Sequence, residues 1–146
     1  MTVSETDDIV RRLDALESRA QISELRAKYA WFATRGDSAA ISELFTEGGS
    51  FESRLGFDAT EGRVLTGRVA IREGLTGKGK GDVVPLVTNE IVQIDGDRAT
   101  GTCSVSSPVA PNTPHGFVGH YEEEFLRVQG QWLFARRLYI VYTPSV

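Results

Sequence analysis

A phenol, a run of carboxylates and a guanidinium are the groups in this chain best placed to do chemistry. Tyr29 belongs to an apolar stripe in which Ile22, Leu25, Tyr29 and Phe32 recur at i, i+3, i+7 and i+10, the spacing of one helical face. A stripe of that kind must be covered, so the phenol is carried inward, where its O–H can donate to an oxygen of a bound molecule. Glu122, Glu123 and Glu124 lie in a segment with strand alternation, and alternation turns at least one of the three carboxylates inward. Arg137 lies in the last apolar run; its guanidinium stays charged and can hold a carboxylate or an enolate without titrating. Glu123 and Arg137 can equally form an ordinary cross-strand ion pair.

Other reactive side chains read as bystanders. Cys103 is the only cysteine, which excludes an internal disulfide, and its valine- and serine-rich surroundings suit a small core residue. His115 and His120 are too few and wrongly spaced for an all-histidine metal site, so no metal is expected. Residues 74–80 fit the first seven positions of a phosphate-binding P-loop, but Gly81 stands where Ser or Thr would ligate magnesium. The segment also leaves a helix and approaches a strand, the reverse of a P-loop. It reads as a loop and a candidate lid over a pocket mouth.

The elements that position these groups follow from pattern and punctuation. Residues 7–17 carry Ile9, Val10, Leu13 and Leu16 in helical register, either as a separate short helix or as an extension of the main one. The main helix is expected to stop at Arg35-Gly36-Asp37, with Gly36 supplying the left-handed residue and Asp37 capping a second helix over residues 38–45. Strand chemistry begins near Phe51 and covers residues 50–55 and 63–66, and a two-turn helix follows over residues 68–75. Residues 86–94, 98–107, 117–128 and 132–142 alternate as strands, with turns at Asp95-Gly96-Asp97 and Gln129-Gly130-Gln131. Helices followed by strands indicate an α+β domain: helices over one face of a curved antiparallel sheet, forming a cone-shaped pocket.

Composition narrows the class. A chain of 146 residues with 16 basic and 20 acidic side chains, net −4, suits one domain spanning residues 1–146 with a helical extension over about residues 1–18. Its scattered basic residues offer no stripe for a phosphate backbone, so nucleic acid is not an expected partner. No apolar run has the length of a membrane span and the N-terminus is polar, so the expected location is the cytoplasm.

The order helix, Arg35-Gly36-Asp37, Leu44-Phe45, strand, Thr66-Gly67-Arg68 with Ala70-Ile71, Thr88-Asn89, Asp95-Gly96-Asp97-Arg98-Ala99, then Tyr121 to Phe125 and Gly130-Gln131-Trp132 resembles the SnoaL-like branch of the nuclear transport factor 2-like superfamily. The resemblance covers roughly residues 15–142. It implies a cavity enclosed by helices and curved sheet, and it groups this chain with ketosteroid isomerases, scytalone dehydratase-like lyases, a dehydrochlorinase and polyketide cyclases. Because that superfamily is mixed in chemistry, the fold locates a site and leaves the reaction open.

Residue by residue, the resemblance places Tyr29 where isomerases and dehydratases hold a substrate oxygen. The Asp/His dyad of the dehydratases falls on Thr34 and Pro85, and the proton-shuttling aspartate of the isomerases falls on Ser53. Neither mechanism can therefore be copied. Phe51, Tyr121 and Arg137 match cavity positions, and alternation then places Phe117 and Glu123 with Tyr121, and Ala135, Tyr139 and Val141 with Arg137. The expected catalytic set is Tyr29, Glu123 and Arg137; the expected substrate-binding set is Trp31, Phe51, Ser53, Asn89, Phe117, Tyr121 and Tyr139. For Trp31, about 200° round the helix from Tyr29, packing under the N-terminal segment is an equal alternative. His120 falls on the face opposite Tyr121.

The implied function is a cofactor-independent lyase, isomerase or cyclase acting on a hydrophobic polycyclic, polyketide or terpenoid-like molecule. The alternative is a non-catalytic binding protein that has lost the dyad. A homodimer through the outer face of the sheet is also implied, with Leu126, Val128 and Leu138 forming its apolar stripe.

Overall fold

The computed structural model describes residues 2–76, 79–108 and 116–142. Helix α1 runs unbroken over Val3–Arg35, α2 over Ser38–Ser42 and α3 over Arg68–Gly74. The strands are β1 (Phe45–Leu55), β2 (Arg63–Thr66), β3 (Leu86–Asp95), β4 (Arg98–Ser107), β5 (Phe117–Val128) and β6 (Gln131–Val141). Together they form one curved, unclosed sheet in the order β2-β1-β6-β5-β4-β3. Among the described residues no helix is long and apolar enough to cross a membrane.

Local chemistry accounts for the helix boundaries. Thr2 and Glu5 form a capping box at the start of α1, satisfying two of its free N–H groups. Gly36 ends the helix at φ 70°, a left-handed conformation that only glycine adopts without strain. Asp37 accepts from the Ala40 N–H at 3.0 Å and starts α2. The expected extension of residues 7–17 is thus the first half of α1 itself. Its apolar residues stay uncovered, with Val10 and Leu16 exposed, and full burial begins at Ser18.

Three expectations need correction. The sheet is mixed: β1 runs parallel to β6, pairing Phe51 with Arg137 and Ser53 with Tyr139. Hairpin turns fix only the directions of consecutive strands, and this pair joins the first strand to the last. The second helix stops at Ser42, since Phe45 is wholly buried in β1 beside Phe134, whose N–H donates to the Leu44 carbonyl at 2.9 Å. Finally, the β5–β6 ladder shifts register next to Phe125, so Phe125 faces Phe134 and Ala135 drops out of the inward alternation. A bulge of this kind places two residues opposite one.

The core lies between α1 and the concave face of the sheet. Ile22, Leu25 and Tyr29 from the helix meet Phe45, Phe51, Tyr121, Phe125 and Phe134 from the strands. Tyr29 alone has four ring neighbours, Phe45, Phe51, Tyr121 and Phe134, at centroid distances of 6.0–6.4 Å. Aromatic pairs at that range add to the burial energy of each ring.

Candidate functional site

Beneath α1 lies a cavity of about 340 Å³, a size suited to a small organic molecule. Its inner wall is aromatic: Tyr29 from α1, Phe51 from β1, Phe117 and Tyr121 from β5, and Tyr139 from β6. Toward the rim it is lined by Gly36 and Ser38 at the α1–α2 turn, Arg63 of β2, Leu75 after α3, and Val83 and Pro85 before β3. Ser53 also lines it. Leu75 and Val83 flank the loop expected to act as a lid, in which residues 77–78 lie outside the described residues. His115 also lies outside them.

The phenol hydroxyls of Tyr29, Tyr121 and Tyr139 have no hydrogen-bond partner among the described residues. All three are held neutral. Burial pushes Tyr121 up from its ordinary value of 10.0 to about 12, while Arg137 pulls the other way. Burial also drives Tyr29 and Tyr139 upward, reinforced by the neighbouring phenol of Tyr121. They therefore act as hydrogen-bond donors throughout the accessible pH range.

Behind this wall, and absent from the cavity lining, lies a closed charge network. Glu123 is 3% exposed, whereas Glu122 and Glu124 point outward. Its Oε1 accepts from Arg26 Nε at 3.0 Å and from Arg26 Nη2 at 2.7 Å. Its Oε2 lies 3.1 Å from Arg137 Nε, an ion pair without the alignment of a hydrogen bond. Arg26 also donates to Glu90 at 3.3 Å and to the Ile91 carbonyl at 3.1 Å. Arg137 instead stacks on rings: its Cζ lies 3.4 Å from the Tyr121 centroid, 4.3 Å from Tyr29 and 4.5 Å from Phe134. This arrangement is a cation in an aromatic cage. Cys103 joins the network with Sγ 3.8 Å from Glu123 Oε1, and burial beside that carboxylate pushes its thiol up to about 11. It therefore remains a thiol rather than a nucleophilic thiolate.

The residues picked out in the sequence thus divide. Tyr29, Phe51, Ser53, Phe117, Tyr121 and Tyr139 converge on the cavity, while Glu123 and Arg137 sit behind it in the charge network. Trp31 and Asn89 lie elsewhere. Trp31 is 56% exposed and stacks with Arg35 rather than packing beneath the N-terminal segment, because 200° of helix rotation turns it away from the sheet. Asn89, at φ 52° in an irregular part of β3, donates to Ser104 on the exposed side. His120 lies opposite Tyr121, between the Tyr142 hydroxyl at 2.6 Å and Glu122 at 2.9 Å.

Sequence reasoning missed Arg26 and the gap that admits it. Arg26 follows Ile22 by four residues and precedes Tyr29 by three, so a charged residue on the buried stripe was itself the signal. Gly101 provides the gap: a Cβ there would collide with the Ile91 carbonyl and stand 2.7 Å from Arg26 Nη2.

Residues 14–138 match the family model of the SnoaL-like domain. An ntf2-like protein with a cystatin-like fold from Novosphingobium aromaticivorans is 25% identical, with a TM-score of 0.80 over 99% of this chain and 95% of its own. The structure of LinA is 14% identical, with a TM-score of 0.70 over 90% of each chain. Rv3472 of Mycobacterium tuberculosis, a protein of unknown function, is 24% identical with a TM-score of 0.73 over 90% of this chain and 75% of its own. No curated protein sequence matches the chain.

Proposed function

The chain belongs to the SnoaL-like domain family, and from that premise we propose that it binds a hydrophobic, oxygen-bearing small molecule in the cavity beneath Tyr29. One observation carries this reading: three neutral phenol donors without partners among the described residues line a largely aromatic and aliphatic space of about 340 Å³. Buried donors are ordinarily satisfied, so unpaired ones lining a cavity are available to an oxygen of the ligand. Ring systems of the polycyclic, polyketide or terpenoid kind fit such a wall, which offers flat faces and few polar contacts. A thermal-shift screen of rigid ring ketones and phenols, followed by calorimetry, tests it. Ligands should raise the melting temperature of the wild type, and Tyr29→Phe should weaken binding by about 1–3 kcal/mol. Indifference of every ligand to Tyr29→Phe and Tyr121→Phe would defeat the proposal.

A catalytic reading rests on a different observation, the Arg137 guanidinium stacked against two of those phenols. In a lyase, isomerase or cyclase needing no cofactor, Tyr29 would donate to a substrate oxygen while Arg137 stabilises the negative charge developing there. Glu123, engaged by two arginines, would position Arg137 rather than move protons. Turnover abolished by Tyr29→Phe with ligand affinity largely kept would support this; binding without turnover across the same ligands would leave the non-catalytic reading.

Homodimerisation through the outer face of the sheet is proposed alongside. Val118, Val128 and Ile91 are exposed on it, 44–61%, and Leu126 is half-buried; Leu138 is already 2% exposed within one chain and adds nothing to the stripe. Light scattering at micromolar concentration should give twice 16.0 kDa, and a monomer mass would refute it.

A further inference from the structure

Charge around the cavity is one-sided. Among its described lining residues there is no Asp, Glu or His, whereas Arg63 lines it and its guanidinium meets only a carbonyl, that of Gly74 at 3.2 Å. Behind the rings of Tyr29 and Tyr121, at 4.3 and 3.4 Å from their centroids, lies the Arg137 charge. The cation is thus packed against rings of two residues that line the ligand space.

Arg137 is paired, to Glu123 at 3.1 Å, but incompletely. Two buried guanidiniums, Arg26 and Arg137, share the single buried carboxylate of Glu123, and the further carboxylate reaching Arg26, Glu90, is 37% exposed. Arg137 Nη1 and Nη2 are buried with no acceptor among the described residues. An incompletely paired buried charge is costly, and aromatic faces offset only part of that cost. A negative charge placed in the cavity would offset more of it, because the interaction runs through ring and side chain rather than through water.

We infer that the cavity takes its ligand as an anion: a hydrophobic ring system bearing a carboxylate, phenolate or enolate, its oxygen held by the Tyr29, Tyr121 and Tyr139 hydroxyls and its charge balanced by Arg137 and Arg63. This rests on the ligand-cavity reading above and adds to it the charge state of the ligand. Phenol donors that stay protonated suit an oxyanion, since donation to a charged acceptor is stronger than donation to a neutral one. The whole chain carries net −4, so a preference for anions would have to come from the site and not from the overall field.

Two probes of nearly equal shape separate the possibilities: 2-naphthoate, anionic near neutral pH, and 2-naphthamide, neutral. Titration calorimetry on the full chain should show the naphthoate binding about tenfold tighter or more. Arg63→Gln, at an exposed position, and Arg137→Met should each narrow that ratio. Should Arg137→Met fail to fold, the wild-type ratio and Arg63→Gln still decide. Equal affinities, or tighter binding of the amide, would overturn the anion inference and leave the ligand-cavity reading standing. A ratio unchanged in both variants would overturn it too. Binding of neither probe at millimolar concentration would count against the cavity reading itself, and the inference would fall with it.

Discussion

On the inward face of β5 and β6, two successive cross-strand pairs are treated in opposite ways. Glu123 faces Arg137, and two residues along Tyr121 faces Tyr139. At the first pair helix α1 lowers Arg26, Gly101 leaves it room, and the carboxylate is gripped from both sides. At the second, one helical turn later, α1 lowers Tyr29; three rings meet and all three hydroxyls are left without partners. Three residues of helix therefore separate a sealed polar core from an open set of donors. The comparison teaches that burial of a titratable group on this face does not by itself mark function. What distinguishes the cavity side is unused hydrogen-bonding capacity that opens on a space of about 340 Å³, whereas the unpaired Arg137 Nη1 and Nη2 are packed against rings.

The largest effect should come from breaking the sealed side. Glu123→Ala leaves two buried guanidiniums facing each other and should destabilise the fold by about 3–5 kcal/mol, read from urea unfolding. A loss under 1 kcal/mol would mean that water reaches the network and that the sealed side is less closed than its burial indicates.

Raising pH probes the open side. A phenol whose pKa is higher in the folded chain than in the unfolded one contributes stability that is intact below pH 10.0. That contribution is lost as pH rises through about 12, because the unfolded chain releases its proton first. Tyr121 alone corresponds to a loss of roughly 2–3 kcal/mol over that window. Denaturation midpoints on either side of it should fall with pH, and Tyr121→Phe should flatten the fall; an equally steep fall in that variant would show that Tyr121 ionises as readily in the folded chain as in the unfolded one.

Gly101→Ala tests the gap between the two regions. The added methyl would crowd Arg26 Nη2 and the Ile91 carbonyl, and overpacking of that kind costs about 1–3 kcal/mol. The sharper expectation concerns coupling: once Arg26→Met has vacated the space, the same substitution should cost measurably less. Additive effects in the double variant would detach Gly101 from the network.

Much of this architecture was legible along the chain, for reasons visible in particular residues. Gly36 and Asp37 carry their turn chemistry in their own conformations, and strand alternation put Tyr121 and Glu123 on one face and His120 on the other. What could not be read was non-local. The parallel pairing of β1 with β6 depends on strands about 90 residues apart, and the bulge that brings Phe134 inward leaves no trace in a two-residue period. Glu123 was legible as inward and as one arm of a cross-strand ion pair with Arg137, but not as gripped by a second arginine, because Arg26 came from a helix whose stripe was read as purely apolar. Trp31 and Asn89 were assigned to the pocket by position in the chain, and the helix rotation and the irregularity in β3 carried them elsewhere.

The smallest expected effect belongs to His120, on the opposite face of the same strand. Its ring packs near Phe57, at a centroid distance of 5.6 Å, and lies between the Tyr142 hydroxyl and Glu122, whose side chain is 49% exposed. None of these groups lines the cavity. His120→Ala removes contacts that water can largely replace, so stability should fall by no more than about 1 kcal/mol. Ligand affinity should stay as it is, since the sheet itself stands between this ring and the three phenols. Measured beside Tyr29→Phe on the same ligand, the two variants therefore decide which face of the sheet is used. A large loss of binding from His120→Ala, with Tyr29→Phe indifferent, would move the site to the outer face and leave the unpaired phenols as mere features of the core.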